Sequence, residues 1–154
     1  MSTQPPVAHT PPGGWGDTMP PPILAGCDEP LVAGAPDLRG MWQVIAVEVD
    51  GEPAPADHPV YAHEERVEQA GDRLVVTAAG IIHDMRCDGT VENGVHDVMQ
   101  GDFTTPITVV ATYEDGVHTL RPVGLPVGVT RRLDGDEMIW SYAGAFVARL
   151  RRVP

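Results

Sequence analysis

The chain has no lysine, two cysteines and only 5% aromatic residues in 154, and each shortage excludes something. All ten cationic side chains are arginine, an imbalance that fits a high-GC coding bias. Cys27 and Cys87 form no disulfide framework, because one lies in a proline-rich leader and the other in a strand-like segment. Scarce aromatics leave the core to Val, Leu, Ile and Ala. No apolar run approaches the length of a bilayer-spanning helix. Met1 to Thr10 lack the basic and apolar regions of a signal peptide, so a cytoplasmic protein is expected. A net charge of −12 repels phosphate backbones and anionic lipid, which excludes nucleic acid and membrane as partners. There is no glycine loop for phosphate, no nucleophile elbow and no His-Glu-x-x-His. Nothing sets the oligomeric state, and a homodimer is compatible with the sequence.

What is present is a series of short strands. Residues 1–36 form a separate proline-rich extension, with Pro5-Pro6, Pro11-Pro12 and Pro20-Pro21-Pro22 excluding helix and sheet. It reads either as a disordered tail or as a strap or lid, since Trp15, Ile23, Leu24 and Leu31 are more apolar than a solvating tail requires. Residues 37–154 form one domain. Strands are expected near 40–50, 59–69, 73–79, 81–87, 90–98, 105–114, 117–123, 126–133, 137–142 and 145–153. Asp50-Gly51, Gly71-Asp72, Ala79-Gly80, Asp88-Gly89, Asp115-Gly116 and Asp134-Gly135 supply the turns. No helical period competes. Consecutive hairpins make an all-β, antiparallel up-and-down meander, and closure into a barrel removes its exposed edges.

Register assigns faces. Two-residue turns at Gly71-Asp72, Ala79-Gly80 and Asp88-Gly89 place Tyr61, His63, Glu65, Val67, Leu74, Val76, Ala78, Ile81, His83, Met85 and His96 on one face. That face is the more apolar and is expected inside. Glu64, Arg66, Glu68, Val75, Thr77, Ile82, Asp84 and Arg86 lie on the other. Near the C-terminus, Val127, Val129, Arg131 and Leu133 share a face with Met138, Trp140 and Tyr142: an apolar, aromatic wall holding one arginine.

Gly40-x-Trp42 at the head of the first strand, the meander, and the cationic last strand Arg149-Leu150-Arg151-Arg152 resemble the lipocalins and the wider calycin group, which includes fatty-acid-binding proteins. The resemblance covers about residues 39–153 and implies a barrel of eight to ten strands. It also implies that Trp42 closes one end of the barrel under a cation from the last strand, Arg149 or Arg151, with Arg149 the first choice. Tight turns and the expected compartment look more like the intracellular branch. The glycine-rich extension of heme-binding barrels is missing, with Gln43-Val44-Ile45 in its place, so no cofactor is expected.

The barrel is expected to hold a small, largely apolar molecule against Tyr61, Val76, Met85, Val129, Arg131, Trp140 and Tyr142. His63, Glu65, His83 and His96 converge on the inner face as candidate acid–base groups, because histidine beside a carboxylate can exchange protons near neutral pH. Barrels of this kind include cyclases and isomerases of bacterial natural-product metabolism, Diels–Alder-type cyclases among them. The alternative is a non-catalytic carrier or sensor. A metal site drawn from His83, Cys87, His96, Asp84 and Asp97 is disfavoured, because alternation puts the two aspartates opposite the histidines. Asp84 and Asp97 are expected in a solvated outer patch, and His118 in a surface pair with Tyr113.

Overall fold

The computed structural model describes residues 4–100 and 102–154. Its strands are β1 (Gly40–Val49), β2 (Glu52–Pro53), β3 (Glu64–Ala70), β4 (Arg73–Ala78), β5 (Ile81–Arg86), β6 (Val95–Val98), β7 (Pro106–Glu114), β8 (Val117–Pro122), β9 (Val129–Asp134), β10 (Glu137–Tyr142) and β11 (Phe146–Arg152). All pairings are antiparallel, in the order β5-β4-β3-β1-β11-β10-β9-β8-β7-β6, with the short β2 on β1. The expected all-β meander of calycin type is therefore present. Asp50-Gly51, Ala79-Gly80 and Asp115-Gly116 have positive φ at both residues, as type I′ hairpin turns require.

Three local expectations differ. Residues Pro59–Ala62 form a 3-10 turn capped by His58 rather than the start of a strand, because a proline opens it and the His58 side chain accepts from the Val60 amide. Asp88-Gly89 makes no hairpin: the Asp88 carboxylate accepts from Thr90 and Asn93, which holds 88–94 as a loop and delays β6 to Val95. Gly94 lies so close to β7 that a Cβ there would sit 2.0 Å from the Val109 carbonyl oxygen. The last hairpin turns at Gly135-Asp136, since Asp134 pairs with Glu137. That shifts the expected register by two residues, so every side chain keeps its face.

One end of the barrel is closed. Trp42 is fully buried, its indole N–H donates to the Leu38 carbonyl at 2.8 Å, and a guanidinium covers the ring at 4.4 Å. That guanidinium belongs to Arg152, not to the expected Arg149. Trp42 pairs with Arg152, which shares the inward parity of buried Ala148 and Leu150; Arg149 and Arg151 face outward. Arg149 instead bonds Glu137 and Asp134 at the surface. Arg152 also donates to the carbonyls of Asp37 and Arg39. Gly40, at φ 137°, leaves room for it: a Cβ would meet the Arg152 side chain at 3.3 Å.

Between β5 and β6 no ladder forms. The Arg86 amide donates to the Asn93 carbonyl at 2.7 Å, and His83 Nε2 lies 3.0 Å from the Val98 carbonyl. The N-terminal segment crosses this seam from outside. Ala8 N donates to Asp84 on β5, Thr10 N donates to Asp97 on β6, and the Thr10 hydroxyl bonds both backbone groups of Ile82. Farther along, Leu24 joins Ala70, Val75 and Ile82 in a second buried cluster on the outer wall. Prolines supply carbonyls without N–H donors. Arginines of the wall answer them: Arg73 bonds the carbonyls of Pro5 and Pro6, and Arg66 that of Pro20. Asp84 and Asp97 are thus covered rather than solvated. Asp84 is buried and bidentate to Arg73.

The two arginine positions separate experimentally. Arg152→Ala removes a cation–π contact and two carbonyl bonds, and is expected to cost about 1–2 kcal/mol in urea unfolding. Arg149→Ala breaks solvent-screened surface pairs only and is expected to cost clearly less than Arg152→Ala. Equal losses would contradict the assignment of Arg152 to the closed end.

Candidate functional site

Alternation on β3 turns Glu65, Val67 and Gln69 inward, and alternation on β9 does the same for Val129 and Arg131. β3 and β9 are four ladders apart in the sheet. The pair they make therefore crosses the barrel interior. Arg131 Nε donates to Glu65 Oε2 at 2.9 Å and Nη2 to Oε1 at 3.1 Å. Glu65 is completely buried. Burial alone would push its carboxyl up; Arg131 and then His63 outweigh that and hold it at about 2.

His63, one residue before β3, places Nε2 2.9 Å from Glu65 Oε1. Its ring packs on Trp140 of β10, with centroids 4.5 Å apart. The Arg131 guanidinium lies 5.3 Å from the same indole. Trp140 pairs with Arg131 in register, so the aromatic wall and the ion pair are one unit.

On the other side of Arg131, β8 supplies His118. It pairs with Tyr113, as expected from the Asp115-Gly116 turn, but it is fully buried rather than at the surface. Both ring nitrogens lack a hydrogen-bond partner among the described residues. Burial, reinforced by Arg131, drives its pKa down to about 3, so the ring is neutral.

Beside this cluster is a cavity of about 210 Å³. Its walls include Val76, Val109, Leu120 and Val129, and its polar lining includes His63, Glu65, His83 and Arg131. Met99, Leu125 and Tyr142 stand at its rim and are exposed. The strand ends at the rim are those opposite Trp42, so the barrel opens away from its closed end. His83 sits where the cavity meets the seam, and burial lowers its pKa.

Of the expected site residues, His63, Glu65, His83, Val76, Val129, Arg131, Trp140 and Tyr142 line this cavity. His96 does not. It is exposed on the outer face and bonds the Val91 carbonyl, because the 88–94 loop resets the parity of β6 and turns Val95 inward instead. Tyr61 lies in the 3-10 turn, and its hydroxyl donates to the Ala54 carbonyl. Met85 faces inward opposite Leu74, but is packed into the core outside the cavity. Among the described residues no group of three or more His, Cys, Asp or Glu is arranged to hold a metal ion, and no helix is long and apolar enough to cross a membrane.

Acid should act in two stages. Unfolded His118 gains a proton below pH 6.5 that the folded ring refuses down to about 3, so stability falls over that interval. Glu65 is depressed in the fold, so its contribution is lost as pH drops from 4.5 to about 2. His118→Leu removes the unpartnered nitrogens; it is expected to raise stability at neutral pH by ~1–3 kcal/mol. It should also flatten the loss between pH 6.5 and 5 in urea unfolding followed by circular dichroism, and an unchanged slope there would refute the assignment.

No protein-family model matches the chain, and no curated protein matches it. Among solved structures it is similar to human cRBP IV, with a TM-score of 0.53 and 14% identity over 76% of this chain and 98% of that one. At that identity the likeness is one of fold. The meander, the near-complete ring closed by β1 on β11, and the Trp42–Arg152 end give the chain the fold of a calycin-like β-barrel.

Proposed function

We propose that this protein binds a small, largely apolar molecule inside the barrel. The observation that carries the reading is the cavity itself: about 210 Å³, walled mostly by apolar side chains, open at one end, with a compact polar cluster on one side. That volume lies below the ~300–1,000 Å³ typical of pockets for drug-sized ligands, so the ligand is compact. The fold likeness to cRBP IV supports a carrier-type barrel. The acidic surface and two free cysteines support a cytoplasmic setting.

One observation favours a second reading, catalysis as a cyclase or isomerase. His63 lines the cavity and is held at 2.9 Å by a buried carboxylate, an arrangement suited to moving a proton to or from a bound carbonyl compound. His83, on the seam side of the cavity, would be a second donor. The surrounding walls would hold a flexible substrate in a reactive shape. The N-terminal strap would serve as a cover for the seam.

Native mass spectrometry of the protein purified from its own host tests the binding reading. A retained small molecule is expected in the wild type, and its loss in Val129→Trp, which fills the cavity. Retention undiminished in that variant would place the ligand elsewhere and overturn the reading. Catalysis predicts two related masses in the wild type, substrate and product, and one only in His63→Gln.

A further inference from the structure

Among the described residues the cavity has one buried cation on its wall, and its charge is already compensated. Arg131 directs both Nε and Nη2 at Glu65, and Glu65 is itself completely buried against it. The remaining basic groups facing the cavity are His63, which shares Glu65 Oε1, and His83, which shares the Val98 carbonyl. His118, behind Arg131, is sealed from solvent and adds no charge. The arginine and the glutamate thus cancel within the lining.

From this geometry we infer that the barrel selects uncharged ligands and rejects carboxylates, with Glu65 as the residue that sets the choice. The inference rests on the proposed small-molecule binding and names its ligand class. An entering carboxylate would shed its water and meet the Glu65 carboxylate; Arg131 keeps one unpartnered donor, Nη1, but its positive charge is already matched by Glu65. Glu65 has no easy way to yield by taking up a proton, because its pKa is held near 2. An alcohol, ketone or ester carries no such penalty. It gains the apolar walls, and its oxygen can bond the imidazoles of His63 or His83. Removing the charge at position 65 releases Arg131, so the same cavity would then favour the acid.

Octan-1-ol and octanoate are matched probes for calorimetric titration of the full chain. At pH 8 the wild type is expected to bind the alcohol at least about tenfold more tightly, the equivalent of one unit of like-charge repulsion. The gap should close as pH falls through the carboxyl pKa of octanoate, while octanol binding stays level. This arm needs no variant. In Glu65→Gln the preference is expected to reverse. Equal or tighter binding of octanoate by the wild type at pH 8 would overturn the inference and leave small-molecule binding intact. A retained natural ligand bearing a carboxylate would do the same. Binding of neither probe, with no retained ligand in native mass spectra, would remove the binding reading and this inference with it.

Discussion

The Glu65–Arg131 ion pair is the contact on which the interior depends. Two full charges in the middle of a barrel are tolerable only because each satisfies the other in bidentate geometry. Everything around the pair takes its position from it. Trp140 lies beside the guanidinium, His63 is oriented by the glutamate, and His118 is kept neutral behind the arginine. Breaking such a pair from one side typically costs ~3–5 kcal/mol, because a charge is left buried alone. The pair also divides the lumen. On one side is the packed end under Trp42, and on the other the open cavity.

The closed end of the barrel and its seam are secured by different means. At the closed end, an aromatic ring is capped by a guanidinium that also collects backbone carbonyls. At the seam, β5 and β6 do not pair, and an external segment bonds to both. The outer wall of β3, β4 and β5 is accordingly not a solvent face. Val75, Thr77, Ile82 and Asp84 are all buried beneath the strap. Arginine is well suited to this wall, because several donors on one planar group can reach adjacent proline carbonyls at once.

Much of the architecture was legible because the side-chain period of a strand is two and the turn residues are specific. Ala79-Gly80 and Gly71-Asp72 fixed the faces of β3, β4 and β5, and the inward set from Glu65 to Met85 is the observed one. A two-residue shift in the last hairpin leaves its faces unchanged for the same reason. His96 was lost where that logic fails: an Asp-Gly pair whose carboxylate caps a loop cannot be told from one that makes a hairpin. The cation over Trp42 is Arg152 rather than Arg149, as the inward parity of Ala148 and Leu150 requires. The ion pair follows from alternation, which turns both Glu65 and Arg131 inward, because opposite charges in a dry lumen seek one another. Burial of the outer wall was not readable, because the strap covers it through proline carbonyls, which leave no sequence period.

The pairing of β1 with β11 joins strands from near the two ends of the described chain. During synthesis β1 emerges long before its partner, so one backbone edge of β1 stays bare until the final strand is made. The β3–β4–β5 hairpins and the strap can assemble in the meantime, because all their partners are already available. The ring and the cover on Trp42 wait for Arg152. A nascent chain that stops short of β11 therefore carries an unpaired edge and an uncapped indole together, two features that favour aggregation or capture by chaperones. Completion of the last strand is what converts a sticky half-ring into a finished vessel.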